Sequence, residues 1–216
     1  AAASLQNIAK TGRKIMFVAT KKQAKRYVSD KAKELNMPYV TERWLGGMLT
    51  NFSTIRKSLK KLSSIENMES QDTYTQDFSK KERLMISRDK DKLEKALGGI
   101  STLNRIPAAM IVVDIKHEEI AIKEAKKLNI PIYGMVDTNS DPNQIDFEIP
   151  SNDDSFTSVA TIMDYISESI SEGLKEREKI KEEIRIKQEK EASEKEAREK
   201  KEAEKKAKES KKEVTK

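Results

Sequence analysis

Short apolar runs alternate along the chain with segments whose apolar residues recur at helical spacing. Apolar residues return every three or four positions over 21–35 and 118–128, and polar residues just before 155 predict the start of a last helix. Thr20 is the predicted N-cap of the first helix. Five short runs predict strands, at 14–19, 37–40, 108–113, 130–136 and 146–150. Strands that alternate with helices predict a doubly wound α/β fold, with a parallel sheet covered on both faces.

A segment of another kind interrupts this alternation. Its two halves each carry one narrow apolar stripe and are separated by a polar stretch at 69–79, the pattern of an antiparallel αα-hairpin. Asn51 is the predicted N-cap of its first helix, with Ser53 and Thr54 as alternatives, and Gly98 and Gly99 suit the end of its second helix. The stripes consist of Ile55, Leu59, Leu62 and Ile65 in the first half and Ile86, Leu93 and Leu97 in the second.

These patterns divide the chain into four parts. Residues 1–52 and 101–174 form the two parts of the α/β domain, 53–100 the inserted hairpin, and 175–216 a tail. Thirty of the 42 tail residues are charged, which leaves too few apolar side chains for a core. Glutamates that precede a base by four positions support an exposed helix, so the tail is predicted to be helical or disordered.

The net charge of +6 conceals an uneven distribution. Residues 1–62 hold 14 basic and three acidic residues, residues 63–174 hold 12 basic and 21 acidic, and the tail holds 17 basic and 13 acidic. A basic excess confined to the first part predicts contact with a polyanion there. The acidic middle leaves open a second interpretation, a protein-interaction module that recruits a basic partner.

Composition excludes several classes of function. The chain has no cysteine and one histidine, which excludes disulfides, thiol nucleophiles and thiolate metal sites. The longest apolar runs fall well short of the roughly 18 residues of a membrane span, and no basic-then-apolar leader precedes them. We therefore expect a cytoplasmic protein without a membrane segment.

An enzyme would be expected to bind its ligand beyond the carboxyl ends of the strands. The first strand is followed by ATKKQAKR, without the glycines of a phosphate-binding loop. Asp114, His117 and Asp137 could form a divalent-ion or acid–base site there. Acidic residues at strand ends more often cap the following turn, and we favour that role. No catalytic residue, metal, cofactor or small-molecule substrate is predicted.

Basic residues are concentrated in the first helix and at the hairpin base. A helix N-terminus already carries partial positive charge, so a basic cluster there is unfavourable unless an anion binds. For any single lysine, simple solvation is the better explanation, but not for the group. Neither RNP motifs nor zinc-finger spacing is present, so we expect recognition of RNA backbone and shape. The predicted phosphate contacts are Lys21, Lys22, Lys25, Arg26, Arg43, Arg56, Lys57, Lys60 and Lys61.

Trp44 is the only tryptophan and stands among these bases. A lone Trp is more often a packing anchor than a stacking platform, and its apolar neighbours favour packing. We place Trp44 in the predicted RNA site because it would shape the hairpin base, where Gly46 and Gly47 allow a tight turn.

Four motifs resemble the bacterial small-subunit ribosomal protein two family, and the similarity extends over residues 15–173. They are RWLGGMLTN at 43–51, ALGGI at 96–100, PAAMIVVDIKHEEIAIKEAKKLNIP at 107–131 and VDTNSDP at 136–142. The motifs are long, ordered and correctly spaced. Members of the family usually begin with a further segment ahead of the position of Ala1, and RNA or protein contacts made by that segment cannot be placed on this sequence.

The resemblance implies a structural, non-catalytic component of the small ribosomal subunit. It implies a flavodoxin-like α/β domain with an inserted helical hairpin, located in the ribosome on the solvent side near the junction of head and body. The implied partners are 16S ribosomal RNA and neighbouring small-subunit proteins, in many bacteria ribosomal protein one among them.

Overall fold

The computed structural model describes residues 1–70 and 78–213, with side chains through residue 188. Its contacts divide the chain into two units, Ala1–Leu174 and Lys175–Lys216. The strands are β1 (Ile15–Val18), β2 (Tyr39–Val40), β3 (Ala109–Val113), β4 (Ile132–Val136) and β5 (Phe147–Pro150). The α-helices are α1 (Ala2–Thr11), α2 (Lys22–Glu34), α3 (Phe52–Glu69), α4 (Lys80–Leu97), α5 (Glu119–Lys127) and α6 (Phe156–Glu213). Short 3₁₀ turns follow at Gly98–Ile100 and Pro142–Gln144.

The five strands form one parallel sheet in the order β2-β1-β3-β4-β5. Met16 pairs with Met110, and Met110 pairs with Ile132, so the central strands lie in register. This strand order is that of the flavodoxin-like fold. The predicted α/β class is confirmed.

Alternate side chains of each central strand enter two separate cores. On one face, Ile15 and Phe17 pack with residues of α1, α2 and α6. On the other face, Met16 and Val18 pack with α5, the loop after β2 and the base of the hairpin. All four β1 residues are fully buried, which explains why the strand is a continuous apolar run and not an alternating one.

The hairpin consists of α3 and α4, packed along the predicted seam. Ile55, Leu62 and Ile65 are buried in α3, and Leu97 is buried at the end of α4. A capping box starts α4, because the Ser79 hydroxyl accepts from the Glu82 backbone N–H while Glu82 accepts from the Ser79 N–H. Most of the predicted polar stretch lies outside the described residues.

Three local predictions need correction or completion. Thr20 does not cap α2: the N-cap is Lys21, and the Thr20 backbone and hydroxyl both donate to the buried Glu118. Asn51 is the N-cap of α3, but its side-chain oxygen accepts from the Ser53 and Thr54 hydroxyls and not from a backbone N–H. Gly98 ends α4 with helical dihedrals that continue into the 3₁₀ turn.

Helix α1 had no counterpart in the predicted elements. It buries Leu5 and Ala9 against the sheet and ends at Gly12, which adopts the left-handed conformation with φ of 74°. Its apolar residues are spaced three and four apart, a signal the short segment does carry.

Residues 175–188 of α6 expose most of their side chains, including those of Ile180 and Ile184. Arg185 pairs with Glu182 at 2.8 Å. The predicted Glu–base pairs beyond residue 188 lie outside the described side chains. None of the helices within the described ranges is both long and apolar enough to cross a membrane.

Candidate nucleic-acid interface

The loop that joins β2 to the hairpin is organised by one carboxylate, that of Glu124 in α5. One oxygen accepts from the Trp44 indole N–H at 3.1 Å and the Gly47 backbone N–H at 2.6 Å. The other accepts from the backbone N–H groups of Leu49 and Thr50 at 2.9 and 3.0 Å. Gly47 has φ of 87°, a conformation that favours glycine. Glu124 therefore fixes the path by which the chain enters α3.

Burial by itself raises the pKa of Glu124, but the hydrogen bonds from Thr50, Leu49, Trp44 and Gly47 outweigh it and lower that pKa. The carboxylate is thus held ionised by donors from a segment about 75 residues earlier in the chain.

Trp44 is a packing anchor. Its ring belongs to the core on the hairpin side, and the residue is only 6% exposed to solvent. A ring buried to this degree cannot stack on a base, so the role of Trp44 is to shape the loop. The predicted tight turn at Gly46 and Gly47 is present.

Lys21 lies at the carboxyl edge of the sheet, and carboxylates surround its ammonium group. Its Nζ is 2.7 Å from both Asp153 and Asp154 and 3.0 Å from Asp114. Burial tends to lower its pKa, but the hydrogen bonds to Asp153, Asp154 and Asp114 raise it above its ordinary value. The sequence predicted Lys21 as a phosphate contact, whereas the structure shows its charge already compensated within the chain.

Acidic groups dominate this edge. Burial raises the pKa of the fully buried Asp153, with Lys21 acting in the opposite direction. Carboxylate oxygens of Asp137, Asp153 and Asp154 lie within 4.8 Å of one another. The edge near Lys21 therefore carries an excess of negative charge, since a single cation meets several carboxylates.

Asp114 and Asp137 have the turn-capping role favoured from the sequence. Asp114 accepts from the backbone N–H groups of Lys116 and His117, both at 3.0 Å, and Asp137 accepts from that of Thr138 at 2.6 Å. The His117 side chain is exposed. The carboxylates are used to hold turns, which leaves the acid–base alternative without support.

The other predicted contacts in α2 differ from one another. Lys25 pairs with Glu42 at 2.9 Å. Lys22 and Arg26 are exposed, and neither has a carboxylate partner within residues 1–70 and 78–188. Of the four predicted contacts Lys21, Lys22, Lys25 and Arg26, only Lys22 and Arg26 lack a carboxylate partner among the described side chains.

Four cations form a basic stripe along the outer face of α3, opposite the buried seam. The members, Arg56, Lys57, Lys60 and Lys61, are all exposed. Lys61 approaches Asp89 at 3.8 Å, and the other three have no carboxylate partner among the described side chains. Arg43 is exposed on the loop before the hairpin. Among the described side chains, the members of the predicted set that are both accessible and without a carboxylate partner are Lys22, Arg26, Arg43, Arg56, Lys57 and Lys60.

Sequence reasoning missed two acidic groups, Glu124, which fixes the loop before α3, and Asp153, which pairs with Lys21. Glu124 lies on the apolar face of α5 beside Ala121 and Ala125, and a charged residue within such a face is a signal that can be detected. Asp153 gave no comparable signal, because only the fold brings it to Lys21.

The family model described as ribosomal protein S2 matches residues 1–173. A relative from Cytophaga hutchinsonii, named small ribosomal subunit protein uS2, is 55% identical over 190 residues, 88% of this chain and 74% of the relative. Proteins of the same name from Flavobacterium johnsoniae and Christiangramia forsetii are each 59% identical over 174 residues, 81% of this chain. The chain spans 68% and 58% of their respective lengths.

Proposed function

The chain belongs to the ribosomal protein S2 family, and from that premise we propose that it binds the RNA of the small ribosomal subunit through an exposed basic surface. Proteins of the family are structural, non-enzymatic constituents of that subunit. Within the ribosome, and hence in the cytoplasm, the chain would act as a scaffold. Its mechanism is electrostatic attraction combined with fixed geometry.

The basic stripe on α3 carries this proposal. From residue 56 to residue 61 the helix rises about 7.5 Å, at 1.5 Å per residue, so the four cations form a compact charged surface. The opposite side of α3 is fixed in the core through Ile55 and Leu62. A rigid row of cations on an exposed helix face suits contact with successive backbone phosphates.

The stripe also has an energetic signature. Arg56 and Lys60 are four positions apart, as are Lys57 and Lys61, and like charges at this spacing destabilise a helix by about 0.2 to 0.5 kcal/mol per pair. An anion bound along the stripe removes that repulsion. The arrangement is therefore unfavourable in the free protein and favourable in a complex with a polyanion.

Lys22, Arg26 and Arg43 extend the proposed surface, since their side chains are exposed. We do not include Lys21 and Lys25 as phosphate contacts, because each would have to give up carboxylate partners within the chain to bind RNA. Trp44 contributes indirectly, because its burial in the core anchors the loop that leads into α3.

We also infer that the chain contacts neighbouring small-subunit proteins, with ribosomal protein one as a candidate. The support for a protein partner is the acidic edge, where Asp141 and Asp154 are exposed. A basic segment of a partner would complement that edge.

Salt titration of RNA binding tests the proposal. The full chain and the triple variant Arg56→Ala, Lys57→Ala, Lys60→Ala are titrated with a transcript of small-subunit ribosomal RNA at several potassium chloride concentrations. Each lost phosphate contact reduces the log–log slope by about 0.7 to 0.9, so we expect the slope to fall by about 2 to 3.

The matched control removes the same charge elsewhere, through Lys175→Ala, Lys179→Ala, Lys181→Ala on the exposed first part of the tail. Circular dichroism verifies that both variants fold. An unchanged slope in the α3 variant, or an equal fall in the control, would contradict binding through the stripe.

A further inference from the structure

A second basic site lies at the opposite edge of the sheet, in a cleft that we name the amino-edge cleft. It is lined by residues 12–14, which connect α1 to β1, and by residues 102–106, which precede β3. Its volume is about 490 Å³. The strands begin at this edge, whereas Lys21 and its carboxylates lie where β1 and β3 end.

Both walls of the cleft are fixed by the fold. The Ala108 backbone N–H donates to the Lys14 carbonyl at 2.8 Å, which ties the two walls together. Gly12 donates to the Ala9 carbonyl at 2.9 Å and ends α1, while the Leu103 side chain is 3% exposed and anchors the second wall. The cleft is therefore formed before any ligand binds, so binding would require little ordering.

The lining carries three positive charges and no negative one. Arg13 and Arg105 are exposed and have no hydrogen-bonded or ionic side-chain partner within the described part of the chain. Lys14 donates to the Asn36 carbonyl at 2.5 Å, a neutral acceptor that leaves its charge uncompensated. This is the reverse of the Lys21 cluster, where one cation meets three carboxylates.

The helix macrodipole explains some basic residues at this edge but not these. Lysines in the last turn of α2 or α5 are favoured because a helix C-terminus carries partial negative charge. Arg105 lies in the segment that leads into β3 and belongs to no helix. Two guanidinium groups across a rigid cleft thus require another explanation.

We propose that the amino-edge cleft is a second binding site for RNA backbone phosphate, separate from the basic stripe on α3. Guanidinium groups present a planar fork of donors that matches phosphate oxygens, which favours phosphate as the ligand. Ile106, 40% exposed beside Arg105, offers an apolar surface to a ribose. The choice of RNA over an acidic peptide rests on the proposed function.

The test compares full-length variants in the same RNA titration. We expect Arg13→Ala, Arg105→Ala to reduce the log–log slope by about 1.4 to 1.8, for two phosphate contacts at roughly 0.7 to 0.9 each. The double variant Lys179→Ala, Lys181→Ala is the matched control with the same loss of charge. Because the two arginines are exposed, thermal unfolding should be unchanged.

A positional probe gives an independent measurement, since the chain has no cysteine. An iron chelate tethered to Thr102→Cys at the cleft, or to the exposed Ser64→Cys on α3, cleaves nearby RNA backbone by hydroxyl radicals. We expect cleavage from Thr102→Cys that disappears when Arg13 and Arg105 are also replaced by Ala. Cleavage from Ser64→Cys reports separately on the stripe.

The outcomes separate the two proposals. An unchanged slope in the arginine variant, or cleavage at Thr102→Cys that does not depend on the arginines, overturns the cleft even if the α3 variant loses affinity. The cleft proposal is also overturned if the arginine variant keeps its affinity for RNA but no longer pulls down a small-subunit protein. If the arginine variant binds RNA more weakly and the α3 variant does not, the result supports RNA binding at the cleft and contradicts binding at the stripe.

Discussion

Glu124 shows how one side chain determines the geometry of a loop that is distant in sequence. Its carboxylate accepts from one indole N–H, three backbone N–H groups and the Thr50 hydroxyl. Buried backbone donors must be paired, and no regular secondary structure pairs those of the loop after β2. The carboxylate replaces that pairing and positions Trp44.

We predict that Glu124→Gln lowers the free energy of unfolding by about 2 to 4 kcal/mol, because an amide group would face donors that need an acceptor. Urea denaturation measures the loss. Glu119→Gln is the control: among the described side chains, the exposed Glu119 pairs only with Lys123, so its effect should stay below about 1 kcal/mol. Equal losses in the two variants would contradict the role assigned to Glu124.

The pH dependence follows from the lowered pKa of Glu124. Its folded-state pKa lies below the ordinary 4.5, so its contribution to stability is present above about pH 4.5 and is lost as the pH falls through the folded-state pKa. Glu124→Gln should therefore lose less stability than the wild type on acidification.

At the scale of elements, the hairpin is attached to the sheet by close backbone packing. The 3₁₀ turn after α4 passes β2 so closely that a Cβ on Gly99 would lie 2.2 Å from the Tyr39 carbonyl oxygen. At Gly98, in contrast, the nearest atom to such a Cβ would be Glu94 Cγ at 3.5 Å, an ordinary contact. Two adjacent glycines thus have different roles.

We predict that Gly99→Ala destabilises the fold by about 1 to 3 kcal/mol, because backbone atoms cannot move aside as side chains can. Gly98→Ala should be neutral or stabilising by up to about 1 kcal/mol, since Gly98 has helical dihedrals. Chemical denaturation of both variants compares them directly. Similar effects at the two positions would exclude close packing on Tyr39 as the cause.

At the scale of the whole molecule, the two edges of the sheet have opposite electrostatic character. The carboxyl edge contains Lys21 enclosed by Asp114, Asp153 and Asp154. These four residues come from the start of α2, the end of β3 and the loop before α6, so the cluster joins the two parts of the α/β domain. The amino edge contains the uncompensated cations of the amino-edge cleft.

We predict that Lys21→Met destabilises the fold by about 2 kcal/mol at neutral pH, because it leaves the buried Asp153 without its cation. Burial raises the pKa of Asp153, so its ionisation is less favourable in the folded than in the unfolded state, and the fold loses stability as the pH rises through the folded-state pKa. The loss should therefore shrink on acidification.

Denaturation at neutral and acidic pH, with Lys22→Met as the exposed control, measures this effect. Equal stability of Lys21→Met and the wild type, together with reduced RNA affinity, would instead support the original prediction that Lys21 contacts phosphate.

Much of the fold follows from local pattern. Buried parallel strands require continuous apolar runs and their crossover helices require an apolar stripe, and both signals are strong in β1 and α2. The apolar stripes that form the seam of the hairpin are an equally strong signal in the sequence. Helix α1 was missed although its spacing was present, because a ten-residue segment with only two large apolar side chains, Leu5 and Ile8, gives a weak pattern.

The candidate site was only partly predictable for a different reason. Exposure of Arg56, Lys57 and Lys60 follows from their position opposite the apolar stripe of one helix, so sequence spacing sufficed. Whether the charge of Lys21 is compensated depends on Asp153, 132 residues later in the chain. The amino-edge cleft depends on the backbone hydrogen bond from Ala108 to Lys14. No periodicity encodes such contacts.

The sequence by itself determined the alternating strands and helices, the hairpin, the charged tail and the family resemblance, because these depend on short-range periodicity and on motif identity. Only the tertiary structure decided which positive charges are free. Charges at a distance in the chain meet when the sheet forms, and a cation that pairs with a buried carboxylate has its charge compensated and is not available to an RNA phosphate.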